Sequence, residues 1–421
     1  VSKPEIARGS RPLRWLHVLS RCYETGGHTA LCRRWVEADS SRDMHSAVLV
    51  FQDERVIPDP LRACFIDRGG DFLVLTSESC LMERAAKLRS LAEHADVVVL
   101  HTHMWDPVAT VAFAHPGGPP VLLANHADHT YWTGASVADL VLNIRPSGES
   151  VCFAHRGNER SHRFPIPLPA PMVLRGDPSG YALRAALGIP ESATVFLTIG
   201  SGYKYVPTGE MNFQETASKL LQAVPGSFLL AVGPKPDDPR WESLSHQTGR
   251  RAVAVGEQTD LRPYLAAADV YLEGFPFGSL TAMLEAVLAG IPPVLAPASC
   301  PLPYRSDDFA LATLEIPKDA DQYVLMAADL AARIQRDAAI SFQWRETVVE
   351  AHCLPGWSKE LAALRQIVAA GLPHSPRALG STAPLRREVI RYWARFAKRR
   401  RGEDNAFGYA FRRAMKNKLN P

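Results

Sequence analysis

Between Asp269 and Leu295 the chain reads Asp-Val-Tyr-Leu-Glu-Gly-Phe-Pro-Phe-Gly-Ser-Leu-Thr-Ala-Met-Leu-Glu-Ala-Val-Leu-Ala-Gly-Ile-Pro-Pro-Val-Leu. The residue types in this stretch suit a phosphorylated ligand. Gly278 and Ser279 close a turn and Leu280 and Thr281 open the helix after it, where backbone N–H groups and the positive end of the helix dipole favour a diphosphate. Glu285, one turn further on, can accept hydrogen bonds from ribose hydroxyls. A nucleotide-sugar is the ligand these groups fit.

A second set of residues suits proton transfer. His101-Thr-His103 and Asn125-His126-Ala-Asp128-His129 each follow an apolar run. An acceptor hydroxyl that attacks a sugar carbon must lose its proton, and His126 or Asp128 is the candidate base. Further upstream, Thr25-Gly26-Gly27-His28 lets the backbone approach a sugar or phosphate at Gly27 while His28 is available to the ligand. Tyr131 and Trp132 offer flat faces to a sugar.

The elements that must carry these groups follow from hydrophobic patterning. Val270 to Leu272 read as a buried strand, Phe275 to Ser279 as a turn, Leu280 to Ala289 as a helix and Gly290 as its stop. Thr194 to Ile199 form another strand, leading into Gly200-Ser201-Gly-Tyr-Lys204-Tyr-Val-Pro207, a helix from Asn212 to Val224 and a strand at Phe228 to Val232. Earlier strands are expected at Leu13 to Leu19, Ser46 to Phe51, Val97 to His101, Val121 to Asn125 and Leu140 to Ile144. Their alternation with helices predicts α/β architecture with parallel sheets. The proline-rich Arg163-Phe-Pro-Ile-Pro-Leu-Pro-Ala-Pro stretch is stiff and extended, which suits a linker.

With these elements in order, the 275–290 segment resembles the donor-binding segment of GT-B glycosyltransferases. Its spacing from Pro276 through Thr281 to Glu285 is most similar to O-GlcNAc transferase-like enzymes and their bacterial protein-glycosylating relatives. Phe277 stands where the retaining GT-B pattern has a glutamate. Tyr203-Lys204-x-x-Pro207 is similar to the element that, in the O-GlcNAc transferase-like family, supplies a lysine to neutralise the departing diphosphate. The resemblance implies two Rossmann-like domains facing each other across a cleft: an acceptor domain at 1–168, a nucleotide-sugar domain at 169–372 and a basic helical tail at 373–421. It implies a donor, uridine-based, held by Ser201, Lys204, Gly278, Ser279, Leu280, Thr281 and Glu285, with Gly27 and His28 contributing from the first domain. Catalysis falls to His126, Asp128 and Lys204, without a metal or other cofactor, because basic residues and helix dipoles stabilise the leaving group. The acceptor is an oxygen or amide on a protein, a glycan or a lipid-linked molecule.

Two other readings use the same residues. His101 and His103, with His126, His129 and nearby Asp106 and Asp128, have the composition of a metal-dependent hydrolase site. A GT-B subunit that binds glycan or a partner without turnover is the third class.

Composition sets the outer bounds. The 421 residues are 46% hydrophobic and 22% charged, enough for two to three domains. Seven cysteines with no Cys-x-x-Cys pair point to a reduced, cytoplasmic protein. The N-terminus lacks the apolar core of a secretory signal, and no apolar run approaches a membrane span. The net charge of +3 is unevenly spread: from Leu385 onward the chain carries about +9, leaving about −6 for the rest. Ile390, Trp393, Ala394 and Ala397 share one helical face there, which either packs on the body or meets anionic lipid at the inner membrane face. No nucleic-acid motif accompanies it, so nucleic acid is not an expected partner.

Overall fold

The computed structural model describes residues 11–24, 27–51, 56–75, 80–115, 117–130, 133–156, 160–171 and 173–374. Thr25, Gly26, Tyr131, Trp132 and the basic tail from 375 lie outside the described residues. The chain divides into two compact units. One contains the described residues to Ile144, Gly148–Pro167 and those from Ser358. The other contains Arg145–Ser147 and Leu168–Trp357.

The first unit is built on a seven-stranded parallel sheet. Its strands are β1 (Arg14–Leu19), β2 (Met44–Leu49), β3 (Phe72–Val74), β4 (Val97–His101), β5 (Val121–Ala124), β6 (Leu140–Asn143) and β7 (Ser161–Arg163). They lie in the order β3-β2-β1-β4-β5-β6-β7, every pair parallel. The central strands are apolar along their length and fully buried, as in β4 (Val-Val-Val-Leu-His) and β5 (Val-Leu-Leu-Ala), because helices cover both faces. The register Arg14↔Met44 through Leu19↔Leu49 starts β2 two residues earlier than the expected Ser46.

The second unit repeats the plan with β8 (Val195–Ile199), β9 (Phe228–Val232), β10 (Ala252–Gly256), β11 (Val270–Leu272) and β12 (Pro293–Val294), in the order β10-β9-β8-β11-β12. In both sheets the strand order reverses beside the first strand, so a topological switch point lies between β1 and β4 and between β8 and β11. Ligands of open α/β sheets bind at the carboxyl ends of such strands. The core includes Phe196, Phe213, Leu220, Leu272, Phe275 and Tyr323. The helix Phe213–Ala223 starts where the Asn212 side chain accepts from the Glu215 N–H at 3.2 Å. The long helix Ala320–Arg336 is capped in the same way by Asp319.

Residues 358–372, expected with the second domain, group with the first unit. One contact that joins them to it is an ion pair: Arg365, on the helix Gly356–Ala369, donates through Nε and Nη2 to buried Asp43 at 2.5 and 2.6 Å. Asp43 also accepts from Leu13 N–H and Trp15 Nε1–H, so one carboxylate ties this helix to β1. Among the described residues no helix is long and apolar enough to cross a membrane.

Candidate active site

In the second unit the site is assembled where the loops after β8 and β11 meet. Tyr205 anchors the first loop: it is buried, shares a 2.9 Å hydrogen bond with Thr198, and packs on Phe213 and Trp241. That anchoring fixes its neighbour Lys204 on the short 3-10 turn Gly202–Tyr205. Lys204 Nζ donates to Gly278 O and to Ser279 Oγ, both at 2.9 Å, while its own carbonyl accepts from Phe277 N–H at 3.2 Å. The lysine therefore grips the turn that opens the next helix. Burial pushes its pKa down from 10.5 to about 8, against the pull of Glu273 and with a further push from Arg145.

Glu273, at the end of β11, completes this arrangement and went unrecognised in the sequence. It is fully buried, and one carboxylate oxygen accepts from the Ser279 N–H. Burial raises its pKa, partly countered by Ser306, Ser279 and Lys204. A carboxylate closing the apolar run Val-Tyr-Leu-Glu was the available signal. Gly278 is required by space: a Cβ there would collide with Glu273 Oε1 and Ser306 Oγ and lie 2.7 Å from the Ser306 backbone nitrogen. Arg145 is a second cation missed in the sequence; it is buried, donates to the Arg305 carbonyl, and stands 4.0 Å from Asp307.

The helix Leu280–Leu288 starts at Ser279 with no side-chain cap hydrogen bond, which leaves its first amides without that internal partner. Gly278 to Ala282 and Glu285 are partly exposed, whereas Met283, Leu284 and Ala286 to Leu288 are buried. Thr281 and Glu285, four residues apart, thus share the open face with the turn. The helix stops at Gly290, whose φ of +82° is left-handed. Ser201 is exposed at the start of the Lys204 turn. The structure thus brings together Lys204, Gly278 and Ser279 by direct contact, with Leu280, Thr281 and Glu285 on the same helix.

In the first unit, His28, His103 and His126 form a second group at the carboxyl edge of the sheet. Their ring centroids are 4.8 Å apart for His28–His103 and 5.3 Å for His28–His126. His126 Nδ1 lies 3.2 Å from the Ala124 carbonyl, which can only accept, so the proton sits on Nδ1 and Nε2 keeps its lone pair. Burial first, then His28, His103 and His101, holds its pKa well below 6.5, so the ring is neutral at neutral pH. His28 donates from Nε2 to the Arg21 carbonyl at 2.9 Å, and burial lowers its pKa too. Gly27, beside it, is exposed at the start of the helix Gly27–Ala38. Asp128 is only 2% exposed, with a carboxylate oxygen 2.6 Å from where a Cβ on Gly148 would lie. Of the two candidate bases, His126 is the more accessible.

The four-histidine metal set does not assemble. Among the described residues the one group of three potential ligand atoms within 4.8 Å of one another is His17, Cys32 and His101. His101 turns toward His17, at 3.0 Å, while His129 faces Asp128 at 3.8 Å. Asp106 is also committed elsewhere: it is buried, accepts from Ser20 Oγ and the Val108 N–H, and burial raises its pKa to about 6.

No family model and no curated protein matches this sequence. Solved structures do match. Anabaena HepE in complex with UDP and glucose aligns with 84% of this chain and 99% of its own, at a TM-score of 0.61 and 14% identity. A glycosyltransferase from Rickettsia africae aligns with 86% of this chain and 100% of its own, at 0.66 and 9%. A variant of the Thermobaculum terrenum O-GlcNAc transferase covers 86% of this chain and 67% of its own, at 0.58 and 19%. The chain has the GT-B fold. Within that GT-B fold, the switch point of the second sheet carries the Lys204, Gly278 and Ser279 contacts.

Proposed function

We propose that the chain is a glycosyltransferase that moves a sugar from a nucleoside-diphosphate sugar, uridine-based, to an acceptor on a protein, a glycan or a lipid-linked molecule. The observation that carries this reading is the seating of Lys204 Nζ on Gly278 O and Ser279 Oγ, at the mouth of an uncapped helix. A fixed cation beside free helical amides suits the charge that builds on a departing diphosphate. HepE, a GT-B neighbour, was crystallised with UDP and with UDP-glucose, which favours uridine.

In this reading the amides of Leu280 and Thr281 face the diphosphate beside Gly278 and Ser279, whose own N–H groups donate to the Tyr304 carbonyl and the Glu273 carboxylate; Ser201 borders it and Glu285 takes the ribose. Lys204 stabilises the leaving group as the bond to the sugar breaks. Gly27 and His28 supply a sugar or phosphate contact. His126, with a lone pair on Nε2, takes the acceptor proton, and Asp128 supports the same loop. The chemistry is carried by these side chains and the helix dipole, without a metal.

The test is a melting-temperature screen of uridine-, guanosine- and cytidine-diphosphate sugars, since a ligand that binds only the native state stabilises it. A selective rise with a uridine-diphosphate sugar, at about 2.7 kcal/mol of stabilisation for a hundredfold excess over Kd, is expected. No rise with any donor would remove the reading. Tight binding without turnover on any acceptor would point to a non-catalytic subunit.

A further inference from the structure

Beneath the His28–His103–His126 group lies a chain of buried side chains that the proposed reaction does not use. His101 Nε2 is 3.0 Å from His17 Nδ1, His17 Nε2 is 2.9 Å from His45 Nδ1, and His45 Nε2 is 2.8 Å from Asp39 Oδ2. His17, His45 and His101 are 0% exposed and Asp39 is 1% exposed. Trp35 and Phe65 pack edge-on against His17, which closes the chain off from water. The register explains the geometry. Trp15 pairs with His45 and Leu19 with His101, so the three rings climb one face of the sheet diagonally, from the start of β2, over β1, to the carboxyl end of β4.

The direction of these hydrogen bonds is set from one end. Asp39 accepts from Ser41 N–H at 2.7 Å, Ser41 Oγ at 3.0 Å and His45 Nε2 at 2.8 Å, and three donors on one buried carboxylate hold it ionised. An ionised carboxylate only accepts, so His45 carries its proton on Nε2 and presents a bare Nδ1. His17 must then donate from Nε2, and His101 likewise. Three neutral rings supply three protons for three bonds. A fourth proton would place a charge among fully buried groups and leave an unpaired N–H on His101, both costly. Burial accordingly drives His17 well below its ordinary pKa and His101 to about 3. His101 Nδ1 is left buried and without a hydrogen-bond partner.

We propose that Asp39, acting through His45 and His17, is a positioning residue that locks the tautomer of His101 and holds its Nδ1 as a neutral acceptor for an O–H donor at the carboxyl edge of β4. Its place there, on the same edge as His28 and His126, ties the lock to acceptor handling; that consequence rests on the transferase reading, whereas the lock itself does not. His17, Cys32 and His101 are also close enough to bind a metal. The unbroken run of donors onto acceptors accounts for the two rings without one, with Cys32 Sγ, 3.9 Å away, a second and weak donor to the bare His17 Nδ1.

Imidazole nitrogen resonances of the full-length protein test the lock directly. Wild type is expected to show His17, His45 and His101 neutral, each protonated on Nε2. In Asp39→Asn the Ser41 N–H keeps the amide oxygen on its own side, so the amide NH₂ faces His45; all three rings should switch to Nδ1–H. His45→Gln can donate to Asp39 and accept from His17, preserving the polarity, so His17 and His101 should read as in wild type. Transfer, once an acceptor is in hand, should fall on the order of 10²-fold in Asp39→Asn, the low end of general-base contributions, and much less in His45→Gln, with donor affinity unchanged in both. His101 protonated on Nδ1 in wild type, or in His45→Gln if Asp39→Asn does not fold, would overturn the proposal. So would a switch in Asp39→Asn confined to His45, or stoichiometric metal bound through His17 and His101.

Discussion

Lys204 is a lysine held at the edge of losing its charge. Its ammonium is satisfied by Gly278 O and Ser279 Oγ, yet burial brings its pKa to about 8. A bound diphosphate favours the charged form, so the sign of the pH effect follows. Below about pH 8 the cation is already present and nucleoside-diphosphate affinity is full; as pH rises through that value, binding must take up a proton and weakens. Lys204→Arg, which stays charged throughout, should flatten the profile. Lys204→Ala should lower turnover by about two to three orders of magnitude, the scale of losing one electrostatic stabiliser. Calorimetric titration of UDP on either side of pH 8 checks the first point; a flat wild-type profile would mean the ammonium does not meet the phosphates.

At the scale of elements, the turn between β11 and the helix Leu280–Leu288 is built around a missing side chain. Gly278→Ala would press a methyl group against Glu273 and Ser306, and the Ser306 backbone cannot rotate away. A loss of about 1–3 kcal/mol is expected, the usual cost of overpacking. Urea unfolding measures it, and an unchanged midpoint would show that the turn yields to the added methyl group. This turn was legible in the sequence because glycine, serine and a helical apolar run sit in order, and β4, β9 and β11 were read with the bounds they have because they are continuous apolar runs. Strands β3, β7 and β10 were not recognised. They lie at the edges of their sheets, and β3 and β7 have only three residues each, with mixed burial. Edge strands lack the two-sided apolar pattern that marks a central one.

Across the whole molecule, the five strands of the second sheet follow the same order as the first five of the first sheet, and the candidate groups follow the carboxyl ends of β1, β4 and β5 in one and of β8 and β11 in the other. The order of motifs along the chain was enough to anticipate that placement, since each candidate group follows an apolar strand. What the sequence did not disclose depends on contacts between distant segments. Glu273 beneath Ser279, Arg365 on Asp43, and the His45–His17–His101 chain all arise from register and packing across strands or units of chain far apart in number. The four-histidine metal set failed for the same reason: alternation along β4 turns His101 toward His17.

The second unit is expected to bind a nucleoside diphosphate through Lys204 and Glu285. Calorimetric titration of UDP into wild type, Lys204→Ala and Glu285→Gln, all confirmed as folded, tests it most directly. Saturable binding to wild type is expected, with a loss of about 1.5–3 kcal/mol in Glu285→Gln, the range for a hydrogen bond to a charged group, whether or not the sugar is attached. Lys204→Ala should also weaken UDP binding. Absence of binding to wild type, or equal affinity in all three proteins, would contradict it.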